Sequence, residues 1–302
     1  MQNNRQEYRK GLFFGLAAYI SWGLLPFYWQ WLDEASATEI LAHRGVWSLV
    51  FCIISLIVIK KLNVFAKVIG NFRTVSILAI AAGFLTINWG VYIWSVTVNR
   101  VVEASLGYYV SPLMTVFFGV LILKEKLSKL QKAAVIIAGI GVLTLTLGYG
   151  HFPWVGLALA GSWGGYSLIK KKLELGALES LSIETLIAFL PNLIYIWFLA
   201  QSNTGVFGSN WLTTFLLAGA GVATIVPLLF FNGATNRLPL STVGLLQYIT
   251  PTIMFFIGVG VNKEAMSPVK FAGFLSIWLA LFLLGRDLLK SSTTFDNGKT
   301  KI

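Results

Sequence analysis

Long apolar runs, separated by short polar or charged stretches, recur along almost the whole chain. A helix needs about 20 apolar residues to cross the hydrocarbon of a bilayer. Runs of that order lie near 11–32, 39–59, 74–95, 103–123, 130–148, 152–169, 181–200, 211–231, 241–261 and 268–285. The pattern predicts an all-α membrane protein with ten transmembrane helices. The connections are short, so the only polar segments outside the bundle are an N-terminal stub (1–10) and a tail (287–302). Any function is therefore expected within the helices. The first run follows Arg5, Arg9 and Lys10 and precedes Ala35-Ser36-Ala37, as a signal peptide would. It is too long for a signal h-region of about 7–15 residues, and Trp22, Pro26, Trp29 and Trp31 suit a retained span better.

The polar positions are organised in a repeat. Ser21-Trp22-Gly23 returns as Ser162-Trp163-Gly164, 141 positions later. Asn99-Arg100, Tyr109, Pro112, Gly119, Lys124-Glu125 and Ser128 return as Asn236-Arg237, Tyr248, Pro251, Gly258, Lys263-Glu264 and Ser267. The two halves, 11–148 and 152–286, would each hold five spans. An odd number of crossings turns the second copy upside down, the 5+5 inverted-topology repeat of secondary transporters.

Composition agrees with a membrane location: 56% of the 302 residues are hydrophobic and 12% charged, against about 25% charged in soluble domains. The net charge of +11 would suggest nucleic acid, but its placement excludes that reading. With the N-terminus in the cytoplasm, 19 of the 23 basic residues fall at the inner ends of spans or in the terminal segments. Three fall outside (Arg100, Lys263, Lys270) and one, Arg44, lies within a span. This is the positive-inside asymmetry, and it predicts cytoplasmic termini. The single cysteine, Cys52, excludes an intramolecular disulfide and a cysteine-based zinc or iron–sulfur site.

Ionisable residues within spans are expensive and default to functional candidates. Glu39 and His43 share one face of the second span, and Arg44 lies about 100° further round. A guanidinium there suits a carboxylate or phosphate; the alternative is that it pairs with Asp33, Glu34, Glu39 or Glu103 at the outer interface. His43, and Glu184 at its place in the second copy, are the candidates for proton coupling. Asn88, Trp89, Tyr108, Tyr109, Gln247 and Tyr248, with Trp22 of the repeated tripeptide, describe a pocket for a small amphipathic solute. Trp29, Trp31, Trp154 and Trp211 are expected at the membrane interfaces. Pro112, Pro227 and Pro251 sit mid-span as candidate helix bends. No Walker loop, paired carboxylates or His-x-x-x-His spacing occurs, so no enzyme, cofactor or metal is expected.

The Ser-Trp-Gly of the first span, the run Glu39-Ile40-Leu41-Ala42-His43-Arg44 and the stretch from Pro112 to Lys124-Glu125 together resemble the drug/metabolite transporter superfamily, and within it the RarD branch of the EamA group. The resemblance spans nearly all of 8–290 and is most specific from Glu39 to Ser48. It implies a bacterial inner-membrane protein in which spans 1–4 and 6–9 surround a central cavity and spans 5 and 10 are peripheral. It further implies export of small metabolites or drugs by alternating access. The second copy departs from the first at His43-Arg44, where it has Glu184-Thr185, so any role of that pair is asymmetric. The partners implied are a small solute, the lipid bilayer and, for a coupled exporter, protons. A receptor or assembly protein with a relic repeat is the alternative from another class.

Overall fold

The computed structural model describes residues 2–97, 101–149, 152–173, 175–261 and 268–296. Among them the chain is all helical, and each of the ten apolar runs coincides with helix. In chain order these are α1 (Gln2–Gln30), α2 (Ala37–Val58), a short α3 (Leu62–Ile69), α4 (Phe72–Thr97), α5 (Val101–Leu121) and α6 (Lys129–Tyr149). Then follow α7 (Trp154–Lys172), α8 (Ala177–Gln201), α9 (Trp211–Thr235), α10 (Leu240–Leu246), α11 (Ile249–Phe256) with a π-helical turn at Ile257–Val261, and α12 (Pro268–Asp296). Seven segments are long and apolar enough to cross a membrane, and Gly107–Leu121 is a shorter apolar helix among the described residues.

Local chemistry sets the ends. Ser36 caps α2 by accepting the Glu39 N–H at 3.2 Å, and Asn210 caps α9 by accepting that of Thr213 at 2.8 Å. Each satisfies a donor that the first turn leaves open. α2 and α8 stop alike: Lys60 and Asn203 take left-handed φ values of 55° and 50°, and the next N–H reaches back to Leu56 and Leu199 respectively. That is the Schellman closure.

The ninth run is split. Pro251 has no N–H to offer the carbonyl four residues earlier, which belongs to Gln247. Thr250 N–H bonds Gln247 instead, at 3.2 Å, and the helix breaks at Gln247–Tyr248. By contrast α5 and α9 run unbroken through Pro112 and Pro227.

Packing is closest where side chains vanish. A Cβ on Gly221 of α9 would sit 2.5 Å from the backbone of Trp47 in α2, and Ser48 donates a hydrogen bond to the Gly221 carbonyl. Such close approach is how helices associate where lipid removes the hydrophobic drive. α2 packs on α8 and α9, α1 on α9 and α11, α4 on α7 and α8, α5 on α7 and α10, and α6 on α12. Large apolar side chains such as Ile136, Leu147, Leu190, Trp197 and Phe215 remain more than half exposed. Contiguous apolar surface of this kind suits lipid rather than water.

Candidate functional site

Helices α1, α2, α4, α5, α7 and α11, with Gln247 at the break before α11, enclose a cavity of about 600 Å³, within the range of small-molecule sites. It follows α1 from Tyr19 to Gln30, a length of about 16 Å at 1.5 Å per residue. At one end it reaches the level where α1 finishes and α2 begins, marked by Gln30 and Ala37. At the other it stops on a floor of packed rings. Trp22 meets Trp163 edge to face at 5.3 Å, and Tyr19 and Phe231 pack against Trp22 at 5.6 and 5.8 Å. Tyr166 lies beneath, 6.0 Å from Phe231.

Arg44 projects into this space from α2. Its guanidinium carbon lies 4.7 Å from the ring centre of Trp89 and 5.1 Å from that of Trp29, so it is held between two indoles. Nε donates to the Thr224 hydroxyl of α9 at 2.8 Å. Among the described residues no carboxylate pairs with it. A planar cation fixed by stacking and one hydrogen bond keeps its terminal amino groups for an anionic or strongly accepting solute.

Of the residues anticipated for the pocket, Trp22, Asn88, Trp89, Tyr108 and Gln247 line the cavity with Arg44 and Pro251. Asn88 also ties α4 to α7, donating to the Leu159 carbonyl and the Ser162 hydroxyl at 2.8 and 3.0 Å. Gln247 is buried at the helix break, and its Oε1 has no protein partner. Tyr109 and Tyr248 lie elsewhere. Tyr248 is fully buried and donates to the Tyr109 carbonyl at 3.2 Å, while the Tyr109 ring packs on Phe274 of α12.

Glu39 and His43 also lie apart from the cavity. The Glu39 carboxylate accepts the N–H groups of Val206 and Phe207 at 2.8 and 3.2 Å, and the His43 ring stacks on Phe207 at 4.5 Å. Together they hold the connection between α8 and α9. Pro112 and Pro227 do not touch the cavity.

Several lining residues were absent from the sequence-based selection: Tyr19, Pro26, Tyr92, Ser111, Trp163 and Thr250. Trp163 had a signal, since it is the repeat mate of Trp22. Trp29, expected at the interface, lines the cavity and forms one face of the Arg44 sandwich.

A second polar cluster lies buried between α7 and α8, outside the cavity. Lys170 Nζ meets the Glu184 carboxylate at 2.5 Å and also contacts the Ser180 hydroxyl. Tyr166 donates to the other Glu184 oxygen at 3.1 Å. Lys170 and Glu184 are 3% and 2% exposed. Nearby, backbone ends are closed by side chains: the Glu125 carboxylate accepts the Leu240 and Ser241 N–H groups at 2.6 and 2.8 Å, and Lys171 donates to the Thr235 and Leu238 carbonyls. Among the described residues no group of three or more His, Cys, Asp or Glu side chains is placed to hold a metal ion.

The chain matches the EamA-like transporter family twice, over residues 9–147 and again over 153–286. It belongs to that family. Protein RarD of Streptomyces exfoliatus is 44% identical to this EamA-like chain over 287 residues, 95% of it and 91% of the relative. The uncharacterized transporter YojE of Bacillus subtilis (strain 168) is 42% identical, covering 92% and 94% of the two chains. A solved crystal structure of a protein 16% identical in sequence superposes with a TM-score of 0.71 over 92% of this chain and 98% of its own. At that identity the likeness shows the fold alone. The EamA-like family is one of transporters, and the apolar helices make this member a multi-pass membrane protein.

Proposed function

We propose that this protein is a secondary transporter that exports small amphipathic metabolites, amino acids or related compounds, by alternating access. The observation that carries the reading is the cavity itself: a solvated-size space within the bundle, walled by aromatic rings and bearing Arg44 between Trp29 and Trp89. Rings supply the apolar contact area and the guanidinium orients a polar head. A passive bundle would have no use for such a space.

The ten-span 5+5 inverted repeat is part of this proposal. Three observations support it. The family matches each half separately. The matched helix ends at Lys60 and Asn203 close in the same way. The main helix contacts are also kept when the halves are exchanged, α1 for α7, α2 for α8, α4 for α9, α5 for α10 with α11, and α6 for α12. Under that exchange α1–α9 becomes α4–α7, α2–α9 becomes α4–α8, and α5–α7 becomes the contact of α1 with α10 and α11. Interchangeable halves around one site are what alternating access requires.

The bacterial inner membrane with cytoplasmic termini is the matching location, supported by the placement of 19 of 23 basic residues. In that orientation the cavity faces outward, and the floor, the Lys170–Glu184 pair and the Glu125 and Lys171 contacts close the cytoplasmic side. The test is counterflow in proteoliposomes with labelled amino acids and amphipathic drugs. Saturable, self-exchanging uptake of one class supports the proposal; a panel without uptake in folded protein moves the weight to a receptor or assembly role.

A further inference from the structure

Helix α3 occupies the connection between two spans and is short, basic and only half covered. α2 ends at Val58 and α4 starts at Phe72, and both are candidate membrane spans. α3 therefore lies at the level where two spans leave the hydrocarbon, the position of an interfacial helix. Phe65 and Val68 turn inward onto Leu78 of α4 and Ile183 of α8. At 100° per residue, Leu62 and Ile69 fall on one flank of that contact and Val64 on the other, with Asn63 and Lys67 opposite. The flanks are bare: Leu62, Val64 and Ile69 are 41–44% exposed and Phe72 is 85% exposed.

Around this apolar rim stand Lys60, Lys67 and Arg73, all exposed. Among the described residues none of them pairs with a carboxylate, whereas Lys61 is held by Glu179 at 3.1 Å. The equivalent connection in the second half, Ser202–Asn210, has no helix and no basic residue. Apolar flanks beside free cations, on this connection and not on its counterpart in the second half, match a lipid with acyl chains below and an anionic headgroup above.

We propose that α3 with Lys60, Lys67 and Arg73 is a seat for anionic phospholipid at the membrane surface. It is independent of the transported solute. Each basic side chain near an anionic surface favours acidic lipid by roughly fivefold, so the seat enriches such lipid over a zwitterionic one.

The test uses full-length protein with Cys52→Ala, Ile69→Cys labelled with an environment-sensitive fluorophore, and reconstitution into bilayers of phosphatidylglycerol and phosphatidylcholine. One lipid at a time carries brominated chains, at equal mole fraction. Brominated phosphatidylglycerol is expected to quench at least about threefold more strongly than brominated phosphatidylcholine. A label at Leu147→Cys, 72% exposed on α6, gives equal quenching. Lys60→Gln, Lys67→Gln and Arg73→Gln together remove the preference, and Lys67→Arg with Arg73→Lys keeps it. Equal quenching by the two lipids at Ile69→Cys, no quenching by either, or a preference that survives the glutamine triple overturns the proposal.

Discussion

Replacing Glu184 with glutamine isolates the buried pair as a structural element. In the native protein its carboxylate holds Lys170 at 2.5 Å and accepts from Tyr166 at 3.1 Å. Neutralising it leaves the Lys170 ammonium, 3% exposed, with the Ser180 hydroxyl and the face of the Tyr166 ring 5.7 Å away. Breaking a buried ion pair from one side costs about 3–5 kcal/mol, because the surviving charge is uncompensated. For a domain of this size that lowers the midpoint of thermal unfolding by on the order of 10 °C. Removing both charges together, as Lys170→Met with Glu184→Met, avoids the stranded ammonium and restores most of the loss. The assay is heating in detergent followed by size-exclusion of the surviving monodisperse fraction. The double variant is further expected to retain transport, since neither side chain lines the cavity. A Glu184→Gln protein that melts within about 2 °C of wild type refutes the uncompensated-charge argument. A folded, inactive double variant refutes the purely structural role.

Three further substitutions follow from single contacts. Glu125→Ala frees the N–H groups of Leu240 and Ser241 at the start of α10 and is expected to cost about 1–2 kcal/mol, read as a fall in melting temperature; an unchanged melt contradicts the capping role. Gly221→Ala puts a Cβ 2.5 Å from the Trp47 backbone, so α2 and α9 must separate, and a loss of about 1–3 kcal/mol is expected; a neutral effect on thermal survival contradicts the close approach. Tyr248→Phe removes the bond to the Tyr109 carbonyl and is expected to lower stability by about 1 kcal/mol with the KM of transport unchanged, because the hydroxyl faces α5 rather than the cavity.

The helices were legible because length and apolarity are local properties, and runs such as 39–59 and 211–231 must become helix to satisfy their backbone in lipid. α3 escaped notice because eight amphipathic residues between two spans leave no long run. The break in the ninth apolar run follows from Pro251, whereas the same defect at Pro112 is contained in α5, which α7 and α10 clamp from two sides. Site residues were harder to assign. Tyr108 and Tyr109, like Gln247 and Tyr248, are neighbours about 100° apart, so polarity and depth select both while only the rotation of the helix decides which one meets the cavity. Tyr108 and Gln247 do; their neighbours pack against other helices. Trp29 near a helix end reads as an interface anchor by depth alone, and its stacking on Arg44 depends on α1 and α2 meeting around the cavity.

The central claim is that the cavity around Arg44 binds a carried solute. Counterflow with the best solute of the panel, comparing wild type with Arg44→Ala and Arg44→Lys, addresses it most directly. A hydrogen bond to a charged group is worth about 1.5–3 kcal/mol, so both variants, verified as folded by size exclusion, are expected to raise KM by about tenfold or more; lysine does not rescue because it lacks the planar fork that Trp29 and Trp89 hold. Wild-type kinetics in folded Arg44→Ala protein would contradict the claim.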